Sequence, residues 1–340
     1  MRQTLSQAPS ARTLRYEASL ARFEAWLCAR CGADSSFRGA GVTSAAYMPL
    51  PVYAQAAGRP GLGAVALRLI KERHIAEGLL VQDPSRRDMM PYVPAWVLLG
   101  SALCEDPRMR VLMARQVLSY QDPRTGGLFG SARSRRLKAG VIDFDSTTLA
   151  CPALCVAGED DAAARCGQYL LRLIRAQPSP SRFFFLQWDT GRGLVRDFAP
   201  ASSPAHLVTY TYPGQHLYKI GLLARALALV HGVTGESEYL QLAQAYYRKA
   251  ASDSPDVWTN TLAHKMGWAA WTLACATGQR SYAEDACRMA DHLARLQQPD
   301  GGFHYPELWT DYAAIPLDMK VNLSAQFATW IALAAEASRP

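Results

Sequence analysis

The sequence predicts an all-α protein whose helical hairpins close into a ring. Three observations carry this. Apolar residues recur with the helical period almost everywhere, and the one strand-like run is Phe183-Phe184-Phe185-Leu186. The periodic segments pair off as six antiparallel hairpins. A hairpin signal also repeats: Thr234-Gly235, Tyr239 and Ala243 return 43 residues later as Thr277-Gly278, Tyr282 and Ala286, with Gly158, Ala162 and Cys166 as a weaker copy.

The helices are expected over 14–31, 44–56, 61–77, 92–104, 107–121, 146–157, 160–177, 213–233, 237–251, 257–276, 280–297 and 322–338. Segments 92–104, 146–157, 213–233, 257–276 and 322–338 are richer in apolar and small residues than the helices paired with them, as expected of an inner layer packed on both sides. Gly158, Gly235 and Gly278 stop one helix and an aromatic or small residue opens the next. A second stop signal, Tyr120-Gln121-Asp-Pro-Arg-Thr-Gly126-Gly127-Leu-Phe129, recurs as Leu296-Gln297-Gln-Pro-Asp-Gly301-Gly302-Phe303, and Gln177-Pro178 is a shortened version. The long irregular stretch 178–211 reads as an ordered, site-forming insertion in a single domain spanning 1–340.

Composition narrows the function classes. The 340 residues are 49% hydrophobic and 19% charged, which excludes a disordered chain. No run reaches the length of a membrane span, and the first fifteen residues lack an apolar signal region, so a cytoplasmic protein without membrane insertion is expected. The net charge of +7 is spread out, with Arg133–Lys138 the one dense tract, and no nucleic-acid motif accompanies it. Cys28 and Cys31 have CxxC spacing but no second ligand pair, and the remaining cysteines lie singly in apolar stretches. They read as reduced, buried small hydrophobes, with no metal or cofactor implied.

The run Gln121–Ser131 (QDPRTGGLFGS), followed by Val141-Ile142-Asp143-Phe144-Asp145-Ser146-Thr147-Thr148, resembles the Gln-rich turn and DxDD(T) acid motif of class II terpene cyclases, within the wider group of terpenoid cyclase and prenyltransferase toroids. Leu296–Tyr305 resembles the same turn again. The resemblance implies an (α/α)6 toroid with Asp145 as proton donor, Asp143 as its flanking carboxyl and a cavity guiding a carbocation. The sequence departs from the motif at the third acid, where Ser146 stands, and Glu159-Asp160-Asp161 lacks the later acid of a diphosphate-binding motif. Read from the residues alone, Asp143 and Asp145 also fit an ordinary helix cap.

Three further groups are candidates for the same rim. Tyr210, Tyr212 and His216 stand at the start of one inner helix and suit proton transfer or a cationic substrate. Trp258, His264 and Trp268 belong to the next, with His264 and Trp268 four residues apart and so on one face. Phe184 and Trp188, in the long insertion, are costly to leave in water and are expected to cover either the ring or a ligand. Each group also has a packing explanation.

The main expectation is therefore a cyclase or isomerase of a hydrophobic isoprenoid- or polyketide-like intermediate. A sugar-processing epimerase, hydrolase or lyase on the same kind of ring is the alternative, and a non-catalytic helical-repeat binding protein a third. A polar cavity favours the second reading, and an open concave face the third.

Overall fold

Amphipathic helices and helices apolar on every side alternate along the chain, and only a two-layered ring buries both kinds. The computed structural model describes residues 10–38, 42–81 and 90–338. Residues 1–9, on which part of the leader reading rests, lie outside these. In order, the helices are α1 (Ala11–Cys28), α2 (Ser44–Tyr47), α3 (Leu50–Ala56), α4 (Pro60–His74), α5 (Tyr92–Leu103), α6 (Pro107–Leu118), α7 (Ala132–Leu137), α8 (Phe144–Ala157), α9 (Asp160–Arg175), α10 (Ser203–His206), α11 (Tyr218–Thr234), α12 (Ser237–Asp253), α13 (Lys265–Thr277), α14 (Arg280–Arg295) and α15 (Leu317–Ala337).

The inner wall runs α3, α5, α8, α11, α13, α15 and back to α3, each helix packed on the next. Outside it, α4, α6, α9, α12 and α14 back the inner helices they follow, while α1 covers α15. The chain is an (α/α)6 toroid. The inner helix α15 is backed by α1, the first described helix, which closes the ring. A closed ring leaves no open concave face of the kind a superhelical binding protein presents.

The expected helix 44–56 is two helices. Pro49 and Pro51 lack the N–H groups a continuous helix needs, and the chain restarts at Leu50. Helices expected from 213 and 257 begin at Tyr218 and Lys265, because Pro213-Gly214 forms a turn and Asn260 caps a short 3-10 segment, Thr261–Ala263. The helix expected from 322 begins earlier, at Leu317.

The repeated glycines do what the pattern implied: Gly158, Gly235 and Gly278 end α8, α11 and α13 in the left-handed conformation. The repeated Gln turns are tethers. Gln121 Nε2 donates to the carbonyls of Gly126 (3.0 Å) and Ala162 in α9 (2.9 Å). Gln297 Nε2 does the same to Gly301 and to Ser19 in α1, both at 2.9 Å. Each turn is thus stapled to the next outer helix of the ring.

Short antiparallel strands decorate one end. They are β1 (Ile75–Ala76) with β2 (Leu79–Leu80); β3 (Val141–Ile142) with β5 (Trp188–Asp189), which also pairs β6 (Gly193–Leu194); and β4 (Phe183–Phe185) with β7 (Leu207–Thr209). The Ile142–Trp188 register lays the 178–211 segment beside the residues that lead into Asp143.

Inside the ring the side chains form strata. Trp96 of α5, Trp268 of α13 and Trp330 of α15 stack across the centre, with ring centroids 5.4 and 4.4 Å apart. The Arg225 guanidinium of α11 lies 3.6 Å over Trp268. Four residues earlier on these helices, about 6 Å along the axis, stand Tyr92, His264 and Gln326. The middle of the ring is therefore filled by an aromatic layer, with a polar layer on its helix-N-terminal side.

Candidate functional site

The polar layer is assembled from the starts of α5, α8, α11 and α13, with Gln326 from the third turn of α15. Asp143 is the N-cap of α8: its Oδ2 accepts the Ser146 N–H at 2.7 Å. Burial, and then the neighbouring Asp145, raise its pKa. The cap fixes the first helical turn and sets Asp145 at the rim. There Asp145 Oδ2 accepts from Lys219 Nζ (2.8 Å) and from the Tyr218 hydroxyl (3.1 Å), both on α11. Its Oδ1 is buried and accepts no hydrogen bond among the described residues.

A second ammonium stands beside this pair. Lys265 Nζ donates to the Tyr92 hydroxyl at 2.8 Å and lies 4.8 Å from the Tyr218 ring centroid. Lys219 and Lys265 are 5% and 4% exposed, and among the described residues no carboxylate pairs with Lys265. A buried cation without a counter-ion favours an incoming anion or a group that develops negative charge.

His264 stacks on Tyr218 at 5.9 Å. Its Nδ1–H donates to the Thr261 carbonyl at 2.7 Å, and its Nε2 faces Gln326 at 3.4 Å. Burial, reinforced by Lys265, drives its pKa down to about 3, so the ring is neutral. Glu307 accepts the Thr261 N–H at 2.9 Å and holds the turn that carries His264. His216 is half-buried with its ring 5.7 Å from Tyr218; burial and then Lys219 lower its pKa, while Asp145 opposes them.

Of the residues singled out in the sequence, Asp143, Asp145, His216 and His264 gather here. Tyr210 does not. It is fully buried on the outer side, with Lys249 of α12 over its ring at 5.3 Å, because the chain turns outward before α11 begins. Tyr212 is 65% exposed in that turn. Phe184 packs in the core between Phe144 and Tyr246, at 5.8 and 5.4 Å. Trp258 lies under Arg288 of α14 on the outer surface. Trp268 belongs to the central stack one turn below His264, and Trp188 is a partly buried strand residue packed on the core. The cysteines are less uniformly buried than expected: Cys28 and Cys275 are exposed.

The residues that sequence reasoning left without a role are Lys219, Lys265, Tyr92 and Tyr218. The signal was present. Lys219 and Lys265 open helices that are otherwise nearly free of charge, and a solitary lysine on an inner helix has nowhere to point but the ring interior.

No protein-family model matches the chain, and no curated protein matches it. Solved structures do match in fold. A GH76 α-mannanase from Bacteroides thetaiotaomicron is 10% identical with a TM-score of 0.68, each chain covering 96% of the other. A D-mannose isomerase is 12% identical with a TM-score of 0.67, over 96% of this chain and 99% of that one. The type II terpene cyclase MstE from Scytonema is 15% identical with a TM-score of 0.59, over 96% and 98%. This chain is similar to all three as an (α/α)6 toroid, a ring on which enzymes of sugars and of terpenes are both built.

Proposed function

We propose that the protein is a sugar-processing enzyme of the isomerase or epimerase type, acting on a polyhydroxylated substrate at the Asp145 rim. The observation that carries this is the Lys219–Asp145 pair with Lys265 beside it, standing on an aromatic layer that fills the ring. A carboxylate already paired with an ammonium is a poor Brønsted acid for an alkene, and two ammonium groups repel a carbocation. The same groups suit proton abstraction next to a carbonyl or carboxylate. The main expectation from the DxD resemblance thus gives way to its sugar-processing alternative. The mannanase and mannose isomerase among the structural neighbours support that choice.

In this reading the free Oδ1 of Asp145 takes the proton from the carbon beside the carbonyl. The C–H electron pair moves into the new C=C bond, and the carbonyl oxygen becomes an enolate facing the Lys265 ammonium. For isomerisation the proton returns from Asp145 to the former carbonyl carbon while the hydroxyl proton of the adjacent carbon passes to the enolate oxygen, so that the carbonyl moves one position along; for epimerisation the planar enolate turns its other face to Asp145 before the proton returns to the same carbon. Tyr218 and Lys219 orient the carboxylate through Oδ2, and neutral His264 with Gln326 offers hydrogen bonds to substrate hydroxyls. The 178–211 segment forms a side wall. All eight cysteines are free thiols and no described helix is long and apolar enough to cross a membrane, which supports a cytoplasmic setting.

The test is proton exchange. A panel of aldoses, ketoses and hexuronates is incubated with the protein in D2O and followed by NMR. At least one sugar is expected to take up deuterium beside its carbonyl or carboxylate, and Asp145→Asn to slow this by about 10²–10⁴-fold. Exchange in no member of the panel, or exchange undiminished in Asp145→Asn, overturns the reading.

A further inference from the structure

The toroid has a concave site at the end away from Asp145. The C-terminal parts of the inner helices enclose a cavity of about 280 Å3, walled by Leu99, Leu103, Val156, Trp271 and Leu333, and Arg225 is part of its lining. Arg225 is 6% exposed, and its Nε and Nη1 are buried with no acceptor. Among the described residues no carboxylate pairs with it, and the nearby thiols of Cys151 and Cys155 do not hydrogen-bond to it. Burial lowers its pKa to about 9, so it is still charged at neutral pH. The indole N–H groups of Trp96 and Trp330, in the stack on which Arg225 lies, are also buried without acceptors.

Buried guanidinium groups are ordinarily paired, and several unmatched donors around one stack indicate a missing acceptor. We propose that this pocket binds a small apolar carboxylate, whose carboxylate group meets Arg225 while its hydrocarbon body fills the Leu- and Trp-lined mouth. The planar fork of one arginine matches one carboxylate, and walls that are mostly apolar, with Gln55, Thr272 and Thr329 the other polar residues among them, disfavour a strongly hydrated polyanion. The inference stands on residues of the opposite end and does not depend on the chemistry assigned to Asp145.

The full chain is titrated with octanoate, octanol and acetate while tryptophan fluorescence is followed, since Trp268 and Trp271 line the cavity. Octanoate is expected to saturate and to bind about tenfold or more tightly than octanol, with acetate weaker than both. Val156→Trp, which fills the mouth at a partly exposed position, abolishes octanoate binding, and Arg225→Met reduces it to the level of octanol. Should Arg225→Met fail to fold, the octanol comparison and Val156→Trp decide. Equal affinity for octanoate and octanol, or undiminished binding in Val156→Trp, overturns the proposal. Loss of octanoate binding in Asp145→Asn assigns the ligand to the other rim and overturns it equally.

Discussion

Lys219→Met and Asp145→Asn, made singly and together, form a cycle that measures the ion pair on which the candidate site is built. At 2.8 Å the gross attraction is about 6 kcal/mol for an effective dielectric constant near 20. Removing Lys219 from water offsets several kcal/mol of that. Asp145 keeps 23% of its side chain exposed and retains the Tyr218 hydroxyl, which screens and partly replaces the lysine. The expected coupling energy is therefore about 2 kcal/mol, with single-variant losses of about 2–4 kcal/mol because each leaves a buried partner uncompensated. The assay is guanidinium unfolding at pH 7, followed by two probes to check two-state behaviour and with the m-value compared across variants. A coupling below about 0.5 kcal/mol, the range of exposed surface pairs, would refute the reasoning that this rim is a low-dielectric, charge-ordered site.

Two other measurements probe the same architecture. His264 has a folded pKa of about 3 against about 6.5 when unfolded, so the unfolded chain binds the extra proton between those values. Stability should be fully retained above pH 6.5 and fall by up to about 1.4 kcal/mol per pH unit as the pH drops toward 3; His264→Gln should flatten that slope, and an unchanged slope would mean that His264 is not held neutral by burial. At the Gln turn, Gly126 has φ +88° and an added Cβ would lie 2.1 Å from the Arg165 carbonyl oxygen of α9. Gly126→Ala should cost about 3 kcal/mol or more, whereas Gly235→Ala, at φ +73° in open space, should cost about 1 kcal/mol; equal shifts in thermal midpoint would show that the turn is not docked.

The Gln turns explain why the fold was legible and why the function was not. The pattern Gln, then Gly-Gly, recurs because each copy must reach the next outer helix, through Ala162 and Arg165 at one turn and Ser19 and Arg22 at the other. A repeat of that kind reports ring geometry and carries no information on substrate. Asp143-Phe-Asp145 fits both an acid motif and a helix cap, because the two look alike in sequence; the structure divides them, Asp143 to the cap and Asp145 to the rim. The aromatic clusters left their two explanations open for a related reason. Phe184, Trp258 and Tyr210 are as costly to expose beside a ligand as beside the core, and their chain neighbours do not say which side of the wall they face.

Period, glycine stops and the Gln tethers are local properties, so the sequence alone established helices, hairpins and their closure into a ring. What lies inside the ring depended on side chains from helices far apart in the chain. Lys219 meets Asp145 across 74 positions and Lys265 meets Tyr92 across 173. Charge pairing at such separations leaves no periodic trace, because each helix satisfies its own apolar pattern whatever stands opposite. Only the assembled ring reveals that one end gathers a carboxylate and two ammonium groups, and that the other holds a guanidinium stacked on Trp268 with no carboxylate partner among the described residues.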